Sequence, residues 1–217
     1  MKNTVCSWSG GKDSCFALMQ AINQGYSPAL LLNVLNEKGK ISRSHGIPAE
    51  ILKAQAEAAG LPIELLSSSW AEYEVKFTTA LQQLKQAYNV EYAVFGDIDL
   101  QDHRDWEEKV CSKTGLTALL PLWKQDRKQL VNEMLDAGIE TIIVSCNEIM
   151  GEIFLGKTIT PTLVNELEEL GVDICGENGE YHTLVVSCPL FEHRVDVVVT
   201  NKILLDHYWF SQLELKK

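Results

Sequence analysis

No two cysteines in this sequence have the C-x-x-C spacing, although there are six: Cys6, Cys15, Cys111, Cys146, Cys175 and Cys188. Their wide separation argues against a zinc ribbon and against a small disulfide scaffold. Most stand beside apolar residues, so buried free thiols are expected. No apolar run approaches the roughly 18 to 20 residues of a membrane span. Lys12 and Asp13 break any apolar stretch near the N-terminus, so no leader is expected and the chain reads as cytoplasmic. There is also no run of lysine or arginine, and the net charge is -11, which repels a phosphate backbone and makes nucleic acid a poor partner. Repeats and low-complexity tracts are missing too.

What is present is core-forming material in an alternating order. Of 217 residues, 46% are apolar, enough for one large core or for one core with a smaller appended domain. Strand patterns at 3–8, 29–35, 63–66 and 92–98 are separated by helical patterns at 14–24, from Pro48 to Gly60, at 71–87 and at 102–115. Strands alternating with helices predict a parallel sheet covered on both faces, with ligands outside the carboxyl ends of the strands. Two further helices are marked, one by Asp126 with Gln129 and a stop at Gly138, the other by Thr160-Pro161 and a stop at Gly171. The second is expected to bury Leu163, Leu167 and Leu170 on one side. A strand is expected at 140–146. The β-rich runs at 183–188 and 194–199 have no helix between them and are expected to pair antiparallel. The expectation is therefore an α/β, doubly wound parallel sheet with a smaller C-terminal α+β domain, divided near residue 124 and tightly packed.

The stretch S-W-S-G-G-K-D-S (7–14) lies between the first strand and the first helix. A glycine pair lets backbone N–H groups turn inward at a helix N-terminus, where the helix dipole favours an anion. Lys12 adds a positive charge, Ser9 and Ser14 add hydroxyl donors, and Asp13 is suited to holding Mg²⁺ or bracing the loop. The Walker A pattern fails, because Cys6 and Asp13 stand where it needs Gly and Ser or Thr, and adjacent Gly10 and Gly11 do not fit G-x-G-x-x-G. A second stretch, G-V-D-I-C-G-E-N-G-E-Y-H-T (171–183), gathers Glu177, Glu180, His182 and Thr183. Its carboxylates and imidazole suit an amine or ammonium, or removal of its proton, and a solvated hairpin is the plainer alternative. His103, Asp105 and Glu107 suggest either a metal or the exposed start of a helix. Trp106 and Trp123 suggest a pocket wall or core.

S-G-G-K-D-S resembles the pyrophosphate loop of the ATP pyrophosphatases of the adenine nucleotide alpha hydrolase superfamily. Together with F-G-D-I-D-L-Q-D-H-R-D-W, L-P-L-W-K-Q-D-R and G-E-N-G-E-Y-H-T, in the same order from residue 4 to about 191, it resembles the diphthine–ammonia ligase family. The resemblance implies a ligase that uses ATP to adenylate a carboxylate, releases pyrophosphate, and amidates the carboxylate with ammonia, giving AMP. In that family the carboxylate is diphthine on elongation factor 2. It implies that Ser9, Gly10, Gly11, Lys12, Asp13 and Ser14 bind the phosphates, that Gly96 and Asp97 border the nucleotide cleft, and that Glu177, Glu180 and His182 line the ammonia and acceptor side. Lys12 and Asp13 are expected to be catalytic as well, with Asp13 at Mg²⁺. Residues 1–124 would bind nucleotide and 125–217 the acceptor. Arg43, Ser44, His45 and Gly46 stand where the diphthamide enzymes carry an aromatic pattern, which leaves the acceptor open between diphthine and another carboxylate; Arg43 and His45 are placed at phosphate or nucleotide. A homodimer fits this reading. A thiolating, tRNA-modifying member of the superfamily and a nucleotide sensor with little turnover remain the alternatives.

Overall fold

The computed structural model describes residues 2–216. Five strands, β1 (Lys2–Ser7), β2 (Tyr26–Leu35), β3 (Ile63–Ser67), β4 (Tyr92–Val94) and β5 (Thr117–Leu119), form a parallel sheet in the order β3-β2-β1-β4-β5. Side chains alternate between its faces. Cys6, Leu31 and Leu35 join the core under α1 (Lys12–Asn23) and α2 (Ala49–Ala58), while Val5, Leu30 and Leu32 join the one under α3 (Tyr73–Tyr88) and α4 (Gln101–Thr114). The sheet is doubly wound, as the alternation predicts. Its strand order reverses at β1, so the loops leaving β1 and β4 open on the same crevice.

The ends of these elements follow local chemistry. Gly115 closes α4 at φ 67°, a left-handed position that costs glycine nothing. Pro48 stands at the N-cap of α2, one place before the first turn where the sequence put it. β4 is shorter than expected, because the chain leaves the sheet after Val94 to pass the start of α1. β5 has three residues, too few for any periodicity to reveal it.

The C-terminal part holds α5 (Arg127–Asp136), β6 (Glu140–Asn147), a 3₁₀ turn (Glu152–Phe154), α6 (Pro161–Glu169), β7 (Tyr181–Ser187), β8 (Val197–Leu205) and β9 (Tyr208–Leu215). Asp126 caps α5 by accepting the N–H of Gln129 at 2.9 Å, and Thr160 caps α6 by accepting that of Leu163 at 3.2 Å. Leu163 and Leu167 are buried, but Leu170 follows the last turn and is exposed, against expectation.

The pairing of the last strands also differs from expectation. The sheet is antiparallel in the order β7-β6-β9-β8, so β7 pairs with β6, and β8 pairs with β9. The β8–β9 turn is Asp206-His207, with φ of 46° and 68°. Two left-handed residues make a tight hairpin, but without glycine the turn leaves no clear signal in the sequence. One buried cluster runs from Trp8 and Phe16 to Leu184 and Leu213, so the two sheets share a core. All six cysteines are buried and free, as expected. Among the described residues no helix is long and apolar enough to cross a membrane.

Candidate active site

The glycine loop leaves β1 at Trp8 and enters α1 with Gly11 as N-cap. The N–H groups of Asp13 and Ser14, in the first turn, have no place in the helix's own hydrogen-bond ladder. Gly10 sits at φ 86°, and a Cβ there would meet Gln55 Oε1 and Leu52 Cδ2, both at 2.9 Å. The two serines work on the loop itself. Ser9 Oγ and Ser14 Oγ are 3.0 Å apart, Ser9 Oγ accepts the N–H of Gly11 at 3.2 Å, and Ser14 Oγ accepts that of Ser9 at 3.2 Å. They hold the turn closed.

The stretch at 171–183 and the strand that follows it come back onto this loop. Thr183 Oγ1, in β7, accepts the N–H of Lys12 at 3.1 Å, and the N–H of Val185 donates to the carbonyl of Gly10 at 2.9 Å. Residues 171 positions apart thus meet at the start of α1. Lys12 is buried, with 3% of its side chain exposed, and its ammonium donates to Asp13 at 2.8 and 2.9 Å and to the carbonyl of Cys175. Burial opposes the charge, but the Asp13 carboxylate and the neighbouring groups outweigh it and hold the lysine above its ordinary pKa.

The loop after β4 forms the other wall. A Cβ on Gly96 would lie 2.7 Å from both the carbonyl carbon of Asp13 and the nitrogen of Ser14. Only glycine lets the two backbones approach so closely. Asp97 Oδ1 is 2.7 Å from His103 Nδ1, and Glu107 is buried behind it. Burial raises the Glu107 carboxyl to about 11, with Asp97 adding to the effect, so Glu107 is neutral at pH 7. Burial acts to raise Asp97 as well, but hydrogen bonds from His103 and Glu107 hold it below its ordinary value. His103, Asp105 and Glu107 therefore split. The first and third support Asp97, and Asp105 accepts from Gln101 on the exposed face.

Glu177 closes the crevice. Its Oε1 accepts the N–H of Ile98 at 2.9 Å, and burial, opposed by that bond and aided by Asp13 and Asp97, raises it to about 7. Asp173 holds the turn by accepting the N–H groups of Glu177 at 2.8 Å and Cys175 at 3.1 Å. Arg127 spans the two walls, bonding Asp99 at 2.6 and 2.9 Å and Asp173 at 2.6 Å. Glu180 stands apart. Its Oε1 accepts from Asn178 at 3.3 Å, and its buried Oε2 has no partner.

Beside the loop lies an open cleft lined by Trp8, Ser9, Asn33, Arg43, His45, Trp70 and Tyr73. Arg43 donates to the carbonyl of Ser68 and lies over the Trp70 ring at 4.6 Å. Asn33 Nδ2 donates to the carbonyl of Trp8 at 2.7 Å, leaving its buried Oδ1 without a partner. His45 contacts Thr183, and the His182 ring lies tilted against His45 with centroids 4.5 Å apart. Trp106 packs against Tyr73 and Phe77, on the core side of the sheet's α3–α4 face. Trp123 carries Arg104 at 5.0 Å from its ring. Sequence reasoning missed Gln55, Asn33, Asp173 and the pairing of Arg127 with Asp99. Gln55 sits on the apolar face of α2, and a polar residue there was the available signal.

Among the described residues, no group of three or more His, Cys, Asp or Glu side chains is placed to hold a metal ion. The crevice instead offers a cationic loop, free first-turn amides, and a facing set of carboxylates. That combination suits an anionic phosphate chain on one side and a cation or amine on the other.

A model of the diphthamide synthase N-terminal domain matches residues 1–118, and one of the diphthamide synthase C-terminal domain matches residues 126–216. The chain is 28% identical to a diphthine–ammonia ligase of Danio rerio over 220 residues, covering 90% of this chain and 86% of that protein. It is 29% identical to a diphthine–ammonia ligase of Schizosaccharomyces pombe over 221 residues, covering 92% of this chain but 36% of that longer protein. The similarity to a mouse (Mus musculus) diphthine–ammonia ligase is 28% over 214 residues, with 87% of this chain and 80% of that protein covered.

Proposed function

Because the chain belongs to the diphthamide synthase family, we propose that it is an ATP-dependent ligase that adenylates a carboxylate and amidates it with ammonia. The relatives named above are diphthine–ammonia ligases, so diphthine on elongation factor 2 is the first acceptor to test. The observation that carries the reading is the bond between the Lys12 N–H and Thr183 Oγ1. It makes the glycine loop and the acidic stretch two sides of one crevice, which a two-stage reaction at one carbon requires.

ATP supplies an activated phosphorus and a good leaving group. Ammonia does not displace oxide from a free carboxylate, but it does displace AMP. Residues Gly10 to Ser14 fit the phosphates, because they present a helix N-terminus beside a lysine. Lys12 must exchange its bond to Asp13 for a phosphate oxygen, and Asp13 is then free to face Mg²⁺ entering with the nucleotide. Arg43, Asn33 and His45 border the nucleoside side, and Gly96 and Asp97 the opposite side.

Glu177, raised by burial to about 7, is a stronger base than an ordinary carboxylate, so it is assigned the proton that ammonium gives up. Glu180 and His182 border the acceptor and ammonia side. We assign residues 1–124 to nucleotide binding and 125–217 to the acceptor, and place the protein in the cytoplasm. A homodimer accords with this assignment.

The test is to mix the protein with ATP, Mg²⁺, ammonium and elongation factor 2 bearing diphthine. Pyrophosphate, AMP and an acceptor lighter by one mass unit, as expected when hydroxyl becomes amine, support the reading. Pyrophosphate release without that acceptor, or with a different carboxylate, keeps the chemistry and replaces diphthine. Absence of pyrophosphate with every carboxylate tried, while ATP binds, favours the sensor alternative.

A further inference from the structure

His45 and His182 come from opposite parts of the chain and meet over the glycine loop. Their rings lie 4.5 Å apart at an interplanar angle of 34°. His45 Nδ1 is 2.9 Å from the carbonyl oxygen of Thr183. A carbonyl only accepts, so Nδ1 carries the proton and Nε2 of the neutral ring keeps its lone pair. The same ring presses on the loop, since a Cβ on Gly11 would meet His45 Cε1 at 2.6 Å. Both rings are half-buried and His45 borders the cleft beside Ser9.

Two imidazoles this close do not both carry charge. The charged groups facing them are Lys12 and Asp13 from α1, and each ring faces the other across β7 and the loop after β2. Burial lowers both rings, Lys12 lowers both further, and His45 adds to the effect on His182; the Thr183 carbonyl and Asp13 oppose this only at His45. Without an anion the pair is neutral at pH 7. A polyphosphate on the loop brings several negative charges within reach and reverses the sign of the local field.

We propose that His45 and His182 form one proton-binding place that fills when a polyphosphate occupies the loop at Ser9–Ser14, and so selects triphosphate over monophosphate. The inference rests on the nucleotide reading given above. The proton comes from solvent on binding and returns to solvent, or leaves with pyrophosphate, when the loop empties. Only one proton is bound, because the second ring is held neutral by the first. A monophosphate brings less charge to the loop and draws less proton uptake.

The test is calorimetric titration of the whole protein with the α,β-methylene analogue of ATP and Mg²⁺, in buffers of different ionisation enthalpy. The proton count from the buffer dependence is compared with that of His45→Gln/His182→Gln. Wild type is expected to take up more protons than the double variant by about half to one per site near pH 7.5. Its affinity is expected to fall by up to about tenfold per pH unit on going alkaline, with a flatter profile in the double variant. AMP is expected to show a smaller difference between the two proteins. His45→Gln alone serves if the double variant does not fold, since the Thr183 carbonyl and Asp13 favour the proton on His45 and the His182 that remains is held well below its ordinary value.

Equal proton counts and parallel pH profiles in wild type and variant overturn the inference while leaving the nucleotide site intact. If wild type does not bind the analogue, or Lys12→Ala binds it equally well, the nucleotide reading fails and the inference falls with it.

Discussion

Gln55 joins α2 to β7 through a bond of 2.7 Å from its Nε2 to the carbonyl of Val185. The same nitrogen donates to the carbonyl of Gly10 at 3.0 Å, and Oε1 accepts the indole N–H of Trp8 at 3.0 Å. The amide is fully buried and every polar end has a partner. It is the point where the glycine loop, the helix beside it and the returning strand are fixed to one another.

Gln55→Leu leaves the Trp8 indole N–H without a partner in a closed core and takes one donor each from the Gly10 and Val185 carbonyls. Each unmet group costs about 1 to 3 kcal/mol. The variant is expected to lose about 2 to 4 kcal/mol of stability in urea unfolding. Nucleotide affinity should fall with it, because the loop is no longer held. A stability within about 0.5 kcal/mol of wild type would show that the bonds matter little.

Gly96→Ala tests the closeness of the two loops. The added methyl lies 2.7 Å from backbone atoms of Asp13 and Ser14, and neither is a flexible side-chain end. The β4 loop must move away from α1, at a cost of about 1 to 3 kcal/mol. ATP binding, measured by titration, should weaken by about tenfold or more. Unchanged affinity would mean that the wall formed by Phe95–Ile98 is not part of the nucleotide site.

Much of the fold is legible in the sequence, because the parallel strands are short apolar runs and the helices carry Gly, Pro and capping signals. The glycine loop was readable for the same reason, since Gly10, Gly11, Lys12 and Asp13 have few bland explanations together. What the sequence did not carry was adjacency. Nothing local to Gln55 or Asp173 says that one will meet Gly10 or the other Arg127. Nor did the runs at 183–188 and 194–199 reveal that β6 and β9 would come between them. A hairpin of Asp206 and His207, with no glycine, hid β9 as a partner.

Glu107 gives a pH dependence with a fixed sign. The folded state holds its carboxyl near 11, against an ordinary 4.5. An acid raised on folding adds stability that is fully present below the unfolded value and is lost as pH rises through the window up to the folded one. Its share of the slope is at most about 1.4 kcal/mol per pH unit. Glu107→Gln keeps a donor toward Asp97 and cannot ionise. Its melting temperature should therefore fall less than that of wild type between about pH 6 and about pH 9. Parallel curves would mean that Glu107 is ionised in the fold.

Lys12→Ala should abolish pyrophosphate release and also lower stability. The ammonium is buried and bonded to Asp13 and Cys175, so its loss strands the Asp13 carboxylate. A cost of about 1 to 3 kcal/mol is expected. Lys12→Met, which keeps the apolar stem, should recover part of the stability but none of the activity. Equal loss of stability in both, with activity kept in either, would remove the lysine from the chemistry.

Glu177 and Glu180 lie three residues apart but face different partners, and this separates their roles. Glu177 faces Lys12, Asp13 and Asp97, while Glu180 bonds Asn178 and has a buried oxygen with no partner. Glu180→Gln keeps size and removes charge away from the glycine loop. It should spare ATP affinity and pyrophosphate release but lower amide formation by about tenfold, because a charge that attracts ammonium is lost while Glu177 remains as the base. Glu177→Gln should depress both stages, since it changes the charge facing Lys12 as well as removing the base. The measurement is single-turnover pyrophosphate release and amide formation on diphthine-bearing elongation factor 2, for each variant. Loss of ATP affinity in Glu180→Gln, with the fold intact, would move that residue to the nucleotide side. Normal amide formation in Glu180→Gln would return it to a polar hairpin with no part in the reaction.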